Sequence, residues 1–291
     1  MLRFLVKAAV VCGLLVVAGP ASAATSTTTS VSTNWSGYVV AGAAPFTSVS
    51  ATWTQPSVTC TPGRSSSSAF WVGLGGRSRG SNALEQMGTD ADCDANGNAN
   101  YSTWYEVLPA ASVPLSVAVA PGDTITASVT VTGTTVDFAL QNVTQGTSAT
   151  KQVTAAAVDT SSAEWIAEAP SLCNRGLSSC RTQPLANFGS VAFSAASATA
   201  GGHTGTISDS AWSAEQISLR SGGSEFSRWR GAAAVAGTGA VPGDLSADGS
   251  SFTVAVDATA PTPSASPAPA TTPVSPRLPR RPGWGRRFRW R

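Results

Sequence analysis

Two short segments concentrate the side chains that could carry acid–base or amide chemistry. One is Phe70-Trp71-Val72-Gly73-Leu74-Gly75-Gly76, leading to Leu84-Glu85-Gln86-Met87-Gly88-Thr89-Asp90. The other is Ala163-Glu164-Trp165-Ile166-Ala167-Glu168. In an extended strand alternate residues share a face, so Glu164, Ile166 and Glu168 stand together and Trp165 and Ala167 turn the other way. Two carboxylates beside a long aliphatic residue suit proton transfer to a bound substrate. The same pattern also fits a solvated strand face with a tryptophan beneath it. Elimination narrows the chemistry. His203 is the single histidine, and its setting Gly201-Gly202-His203-Thr204-Gly205 reads as an exposed loop. No Gly-x-Ser-x-Gly elbow precedes it, so a Ser-His-Asp or Cys-His hydrolase lacks its parts. There is no matched pair of Asp-Thr/Ser-Gly segments, no HExxH and no phosphate loop ending in Lys. No metal and no cofactor are expected.

Strands must position these residues. Leu115 to Val119 alternates and is followed by Pro121-Gly122-Asp123. Ile125 to Val131, Val136 to Leu140, Val191 to Phe193 and Phe252 to Val256 read the same way, with Asp248-Gly249 as the turn feeding the last. No long stretch has helical periodicity with caps. The expected fold is all-β, a sandwich of two packed antiparallel sheets.

The ends differ from this body. Arg3 and Lys7, the apolar run Ala8 to Ala18 and the Ala21-Ser22-Ala23 site predict a signal peptide over 1–23, hence a secreted, extracellular protein. A short N-terminal segment follows over 24–33, then the domain over 34–257. Residues 258–276 form a Pro/Ala/Ser/Thr-rich linker and 277–291 a basic, aromatic tail. That tail reads as a disordered end with no role, or as a weak contact with an anionic envelope. Of the 18 basic residues, seven lie in the last fifteen positions and two in the signal. Nine then face all 16 acidic residues, a net charge near −7 that excludes nucleic acid as a partner. Cys60, Cys93, Cys173 and Cys180 remain after the signal. An even count in an exported chain reads as disulfides, and of the three pairings the local ones are favoured, Cys60–Cys93 and Cys173–Cys180. A zinc site would need a CxxC pair or a nearby histidine.

The segments resemble those of the glutamic peptidases, or eqolisins, over nearly all of Asn34 to Val256. The motifs run in order: Asn34-Trp35-Ser36-Gly37-Tyr38, Trp53-Thr54-Gln55-Pro56, Trp71 to Gly76, Leu84 to Thr89, Tyr101 to Glu106, Ala163 to Ile166, Leu185 to Gly189 and Asp248 to Phe252. Each is weak alone; all of them in this order are specific. The resemblance implies a concanavalin A-like sandwich and hydrolysis of peptide bonds in protein or peptide substrates at acidic pH, without metal or covalent intermediate. It assigns the catalytic pair to Gln86 and Glu164 and an active-site tryptophan to Trp71. Asp90, Trp104, Tyr105 and Glu168 are expected to line the cleft. Two positions depart from many fungal members: Gly75 and Ser102 stand where those carry Asp. About ten residues separate Ala23 from Asn34, too few for the long pro-segment of fungal members.

In the mechanism so implied, Glu164 takes a proton from a water that attacks the scissile carbonyl. Gln86 donates to the developing oxyanion, and Glu164 returns the proton to the leaving nitrogen. Glu85, adjacent to Gln86, should face away from that water. Glu168 is expected to raise the Glu164 pKa by like-charge proximity. The chain is expected to act as a monomer. Two readings compete: a carbohydrate-binding, lectin-like module using some of the nine tryptophans, and a glycosidase using Glu164 and Glu168. Digestion of a denatured protein at about pH 3 to 4 and at neutral pH separates them.

Overall fold

The alternation of small hydroxyl and apolar residues sets the architecture. The structure is a computed structural model that describes residues 27–77, 81–173, 180–220 and 239–257, without the side chain of Cys173. The expected signal peptide, linker and basic tail therefore lie outside the described residues. All regular elements among the described residues are strands.

One layer comprises β3 (Phe46–Thr54), β8 (Thr124–Thr132), β9 (Thr135–Asn142), β10 (Thr147–Thr154) and β14 (Ser190–Ala200). The other comprises β2 (Trp35–Ala41), β4 (Ala69–Gly75), β5 (Leu84–Cys93), β6 (Ala99–Val107), β7 (Val113–Pro114), β11 (Ser162–Glu168) and β16 (Ser213–Arg220). The strands β17 (Gly239–Pro242) and β18 (Phe252–Asp257) join the layers edge to edge. The hydrogen-bonded order is β10-β9-β8-β3-β14-β18-β17-β16-β2-β11-β4-β5-β6-β7. The two expected sheets are thus two halves of one continuous ladder. Residues 28–32, read from the sequence as a segment ahead of the domain, form β1 (Thr28–Ser32), which pairs in parallel with β16. His203 lies in β15 (His203–Gly205) on β14, exposed, with Nε2 2.9 Å from Asp209 Oδ2. It takes no part in the cleft described below.

Period-two burial packs the layers. In β8, Ile125, Ala127, Val129 and Val131 point inward and Thr124, Thr126, Ser128 and Thr130 outward. They meet Phe70, Val72, Leu74, Met87 and Trp165 from the other layer in one core. Each fully buried large apolar side chain contributes about 1.5–3 kcal/mol. Two indoles also bridge the layers: Trp165 Nε1 donates to Ser50 O at 2.9 Å and Trp53 Nε1 to Thr89 Oγ1 at 3.1 Å. Buried indole N–H groups need such partners, so both bonds fix how the layers sit on each other.

One expected strand is absent. Leu115 to Val119 alternates, but the ladder ends at Pro114. The segment follows an irregular course, with Leu115 N donating to Thr103 O and Val117 O accepting from Thr103 Oγ1. Val117 is still buried in the core, which is the burial its pattern signalled. The Cys60–Cys93 disulfide is present, with Cα atoms 5.4 Å apart. The strands β12 (Ser171–Cys173) and β13 (Cys180–Thr182) pair with Cys173 opposite Cys180, and Cys180 is disulfide-bonded. The partner expected for it, the Cys173 side chain, lies outside the described residues.

Candidate active site

Residues directly opposite one another on neighbouring strands share a face, so strand register assembles the site. One row crosses six strands: Glu215 of β16, Val39 of β2, Glu164 of β11, Gly73 of β4, Gln86 of β5 and Glu106 of β6. The next row on that face is Ile217, Gly37, Ile166, Trp71, Gly88 and Trp104. A third holds Trp35, Glu168, Ala69, Asp90 and Ser102. Register thus brings Gln86, Glu164, Trp71, Asp90, Trp104 and Glu168 to one face.

That face is not a solvated one. Val39, Ala69, Trp71, Leu84, Trp104, Ile166 and Ile217 form a second, smaller apolar cluster on it. Consequently β4 is buried along its whole length, on one side by the sandwich core and on the other by this floor. Above the floor opens a cleft of about 800 Å³, bordered by Gln86, Glu106, Asp90, Trp104 and Glu168, with Asn34, Trp35 and Leu172 at one end. Glu164 stands on the same face but is completely buried and does not border the cleft.

Glycine makes the approach of the two rows possible. Gly73 separates Glu164 from Gln86, so the two backbones stand two strand spacings apart, roughly 10 Å, and the residue between them has no side chain of its own. A Cβ there would lie 3.0 Å from Trp71 Cζ3 and 3.2 Å from Gln86 Cβ. Gly88, one row on, lets β5 approach β4 closely, since a Cβ there would run into the Phe70 carbonyl and lie 2.6 Å from Trp71 Cβ. Gly75, with φ +86°, has no room for a side chain either: the Asp159 side chain fills that space, its Cγ 2.9 Å from where a Cβ would be. A carboxyl from the loop before β11 thus stands beside β4 at this position.

Hydrogen bonds fix the polar groups. Gln86 Nε2 donates to Glu106 Oε2 at 2.6 Å, and Gln86 Oε1 has no partner among the described residues. Glu168 accepts from Asn34 Nδ2 and from Trp71 Nε1, both at 2.8 Å. Asp90 accepts from Trp104 Nε1 at 2.7 Å and from Ser102 Oγ at 2.8 Å. Ser102 therefore gives Asp90 a neutral donor where an Asp would add a like charge.

Burial raises the pKa of Asp90, Glu106, Glu164 and Glu168. Asp90 and Glu168 are pushed up to about 7, each by burial against the opposing pull of its hydrogen bonds, with Glu106 adding like charge to both. Glu106 is raised by burial and pulled down by Gln86. Glu164 is raised well above the usual carboxylate range, first by burial and then by the charges of Asp159 and Glu85. Arg77 pulls the other way, as does Ser162 two residues back, although its hydroxyl is not aligned for a hydrogen bond. The expected like charge on Glu164 from Glu168 is therefore replaced by charge from Asp159 and Glu85. Four residues along one strand put Glu168 about 13 Å from Glu164, too far for strong coupling.

Two expectations need restating. Tyr105 does not reach the cleft. It opposes Met87 on the inner face and packs its ring 5.1 Å from Phe138, because it neighbours Trp104 and strand neighbours point opposite ways. Glu85 does face away from Gln86, as alternation requires, but it ends fully buried against the Asp159 backbone rather than in solvent. Its pKa is pushed up to about 7 by burial, with Asp159 adding to it. The roles of Glu106, Asp159 and Arg77 were not read from the sequence. Glu106 stood inside the Tyr101 to Glu106 motif and carried the signal; the other two lie in connections whose positions only the fold sets.

A face of this composition and geometry can be compared with known proteins. Residues 33–228 match the model of the Peptidase A4 family. The chain belongs to that family. It is 31% identical over 203 residues to aspergillopepsin-2 of Aspergillus niger, covering 61% of this chain and 68% of the relative. Scytalido-glutamic peptidase, solved with a peptide-based transition-state analogue, superposes with a TM-score of 0.60 at 27% identity, covering 77% of this chain and 98% of that one. SCP-B, an eqolisin solved with the tripeptide Ala-Ile-His, gives 0.57 at 27% identity over the same shares. As an A4 peptidase the protein is a glutamic endopeptidase, a hydrolase acting on protein or peptide substrates. Membership answers the lectin-like alternative. Membership answers the glycosidase alternative as well.

Proposed function

We propose that this protein is a secreted acid endopeptidase whose catalytic dyad is Glu164 and Gln86. The observation that carries the reading is the cross-strand row in which Gly73 alone stands between the two. In this reading a water and the scissile carbonyl come between the two side chains, above Gly73 and beside the Trp71 ring. Ionised Glu164 takes a proton from the water as it attacks the carbonyl carbon. The Gln86 N–H not given to Glu106 donates to the oxygen that gains charge, while Oε1 helps aim the water. Glu164 then passes its proton to the leaving nitrogen, the C–N bond breaks, and both groups return to their starting states. Glutamine suits the second role because it does not titrate in acid. Asp90 and Glu168, protonated below about 7, present donors rather than charges to the peptide in acid.

Export is supported by the N-terminal sequence pattern and by a disulfide, which persists in oxidising compartments. A single chain holds both dyad residues, in keeping with a monomer. Digestion of an acid-denatured protein at about pH 4 and at pH 7.5 tests the reading. Cleavage is expected at the lower pH and little at the higher. Equal cleavage at both, or none at either, would contradict it.

A further inference from the structure

The Trp71 indole reaches across three rows of the face. On one side its Nε1 donates to Glu168 Oε2 at 2.8 Å, in the row of Trp35, Ala69 and Asp90. On the other side its six-membered ring leans along β4 toward Gly73, where Cζ3 lies 3.0 Å from the place a Cβ would take. That ring edge therefore borders the space above Gly73, between Glu164 and Gln86. Trp71 is fully buried, and an indole N–H is a donor only, so it needs an acceptor; among the described residues Glu168 supplies it. Apolar contacts alone would let the flat ring settle in either of two orientations about its last side-chain bond. The bond to Glu168 selects the one that turns the six-membered ring to Gly73. Glu168 is itself held, since its Oε1 accepts from Asn34 Nδ2 at 2.8 Å. Trp35, opposite Glu168 on β2, packs edge-on against Trp71 with ring centroids 5.1 Å apart. Asn34, Trp35, Glu168 and Trp71 thus form one bracket beside the dyad.

We propose that Glu168 is a positioning residue for peptide hydrolysis: by accepting from Trp71 Nε1 it fixes the indole edge above Gly73, and so sets where the scissile carbonyl stands between Glu164 and Gln86. The inference rests on that dyad reading. At about 13 Å along the strand from Glu164, Glu168 acts through the ring and not through its charge. A carboxyl keeps an accepting carbonyl oxygen whether or not it is protonated, so the grip persists into acid.

The test is a double-mutant cycle in kcat, on one peptide at the wild-type pH optimum and well below every variant's Tm. It uses Glu168→Leu, Trp71→Phe and the two together, with Glu164→Gln alongside. Glu168→Leu should lower kcat by about ten- to a hundredfold, as a misplaced reacting group does, with KM less affected. Phe keeps an aromatic ring but has no N–H. Trp71→Phe should therefore lose about as much by itself, and adding Glu168→Leu to it should cost less than about twofold more. An equal Glu168→Leu loss in both backgrounds overturns the proposal, because Glu168 then acts without Trp71. A loss confined to KM overturns it too, by making Glu168 a substrate contact alone. Glu168→Asp covers a Glu168→Leu protein that fails to fold: it keeps the carboxyl but stops one methylene short of Nε1, so it should lose kcat with Trp71 present and not with Phe in its place. Wild-type kcat in Glu168→Asp would overturn the proposal. Glu164→Gln separates the two ideas. If it is inactive and the cycle is additive, the Glu168 proposal falls by itself; if it stays active, the dyad reading falls first and this one with it.

Discussion

The amide of Gln86 can serve an oxyanion only if one of its N–H bonds points at the gap, and Glu106 fixes which one does. The 2.6 Å bond to Glu106 occupies one N–H and holds the plane of the amide. Gln86→Ala should cost about 3 to 4 kcal/mol of transition-state stabilisation, read as a fall in kcat with little change in KM. Glu106→Gln should lower kcat by up to about tenfold by loosening the same amide, since an amide whose NH₂ can turn toward Gln86 replaces the carboxyl that accepts at 2.6 Å. Steady-state kinetics on one peptide check both, and a Glu106→Gln effect confined to KM would remove Glu106 from this role. At this scale the sequence was informative wherever a motif named the residue. Gln86 and Glu164 were reached through resemblance, and the face they share follows from register. Tyr105 was placed in the cleft although alternation already set it opposite Trp104. Asp159 and Arg77 were out of reach because neither strand pattern nor local motif says where a connection returns.

The pairing of β11, β4 and β5 is the device that turns a motif list into a site. Positions 78 apart in sequence become neighbours across a strand that carries glycine at the crossing point, Gly73. Gly73→Ala should therefore reduce turnover far more than stability. Its Cβ would press on Trp71 and Gln86 at 3.0 and 3.2 Å and intrude between the dyad residues. Parallel measurement of kcat and Tm checks this, and equal losses in both would mean that the glycine serves packing alone. The strands themselves were largely legible, because period-two alternation with turn residues signals β8, β9 and β18 directly. Leu115 to Val119 shows the limit: alternation reports burial, and burial does not require a ladder. The disulfide between Cys60 and Cys93 closes a 33-residue separation beside the end of β5. Its loss, in Cys60→Ser with Cys93→Ser, should cost about 4 kcal/mol in the chain-entropy account, measured by denaturant unfolding.

For the whole molecule, buried acids make the fold itself depend on pH. Glu85, Asp90 and Glu168 have folded-state pKa values near 7, against ordinary values of 4.5, 3.8 and 4.5. Between those values the native state holds protons that the unfolded chain has released. Stability is thus full below the unfolded pKa values and declines as pH rises through about 7. Glu85 alone, fully buried, accounts for about 3 kcal/mol of this difference. Melting temperatures from pH 4 to 8 should fall, and Glu85→Gln should flatten the fall by raising Tm at pH 7.5 while leaving it little changed at pH 4. A wild-type Tm that rises toward neutrality would contradict the assignment. The acidic net charge of the body was visible in the composition, but the burial that converts it into pH-dependent stability was not, because the sequence does not say which carboxyls the layers enclose.

The account turns on Glu164 as the base, and the turnover of Glu164→Gln tests it most directly. The substitution keeps the shape of the side chain and removes its ability to take a proton. Measured on a peptide at the wild-type pH optimum, with Tm recorded alongside, kcat should fall by about 10²- to 10⁴-fold while Tm moves by no more than a few degrees. Near-normal kcat in a folded Glu164→Gln protein would contradict the dyad mechanism outright.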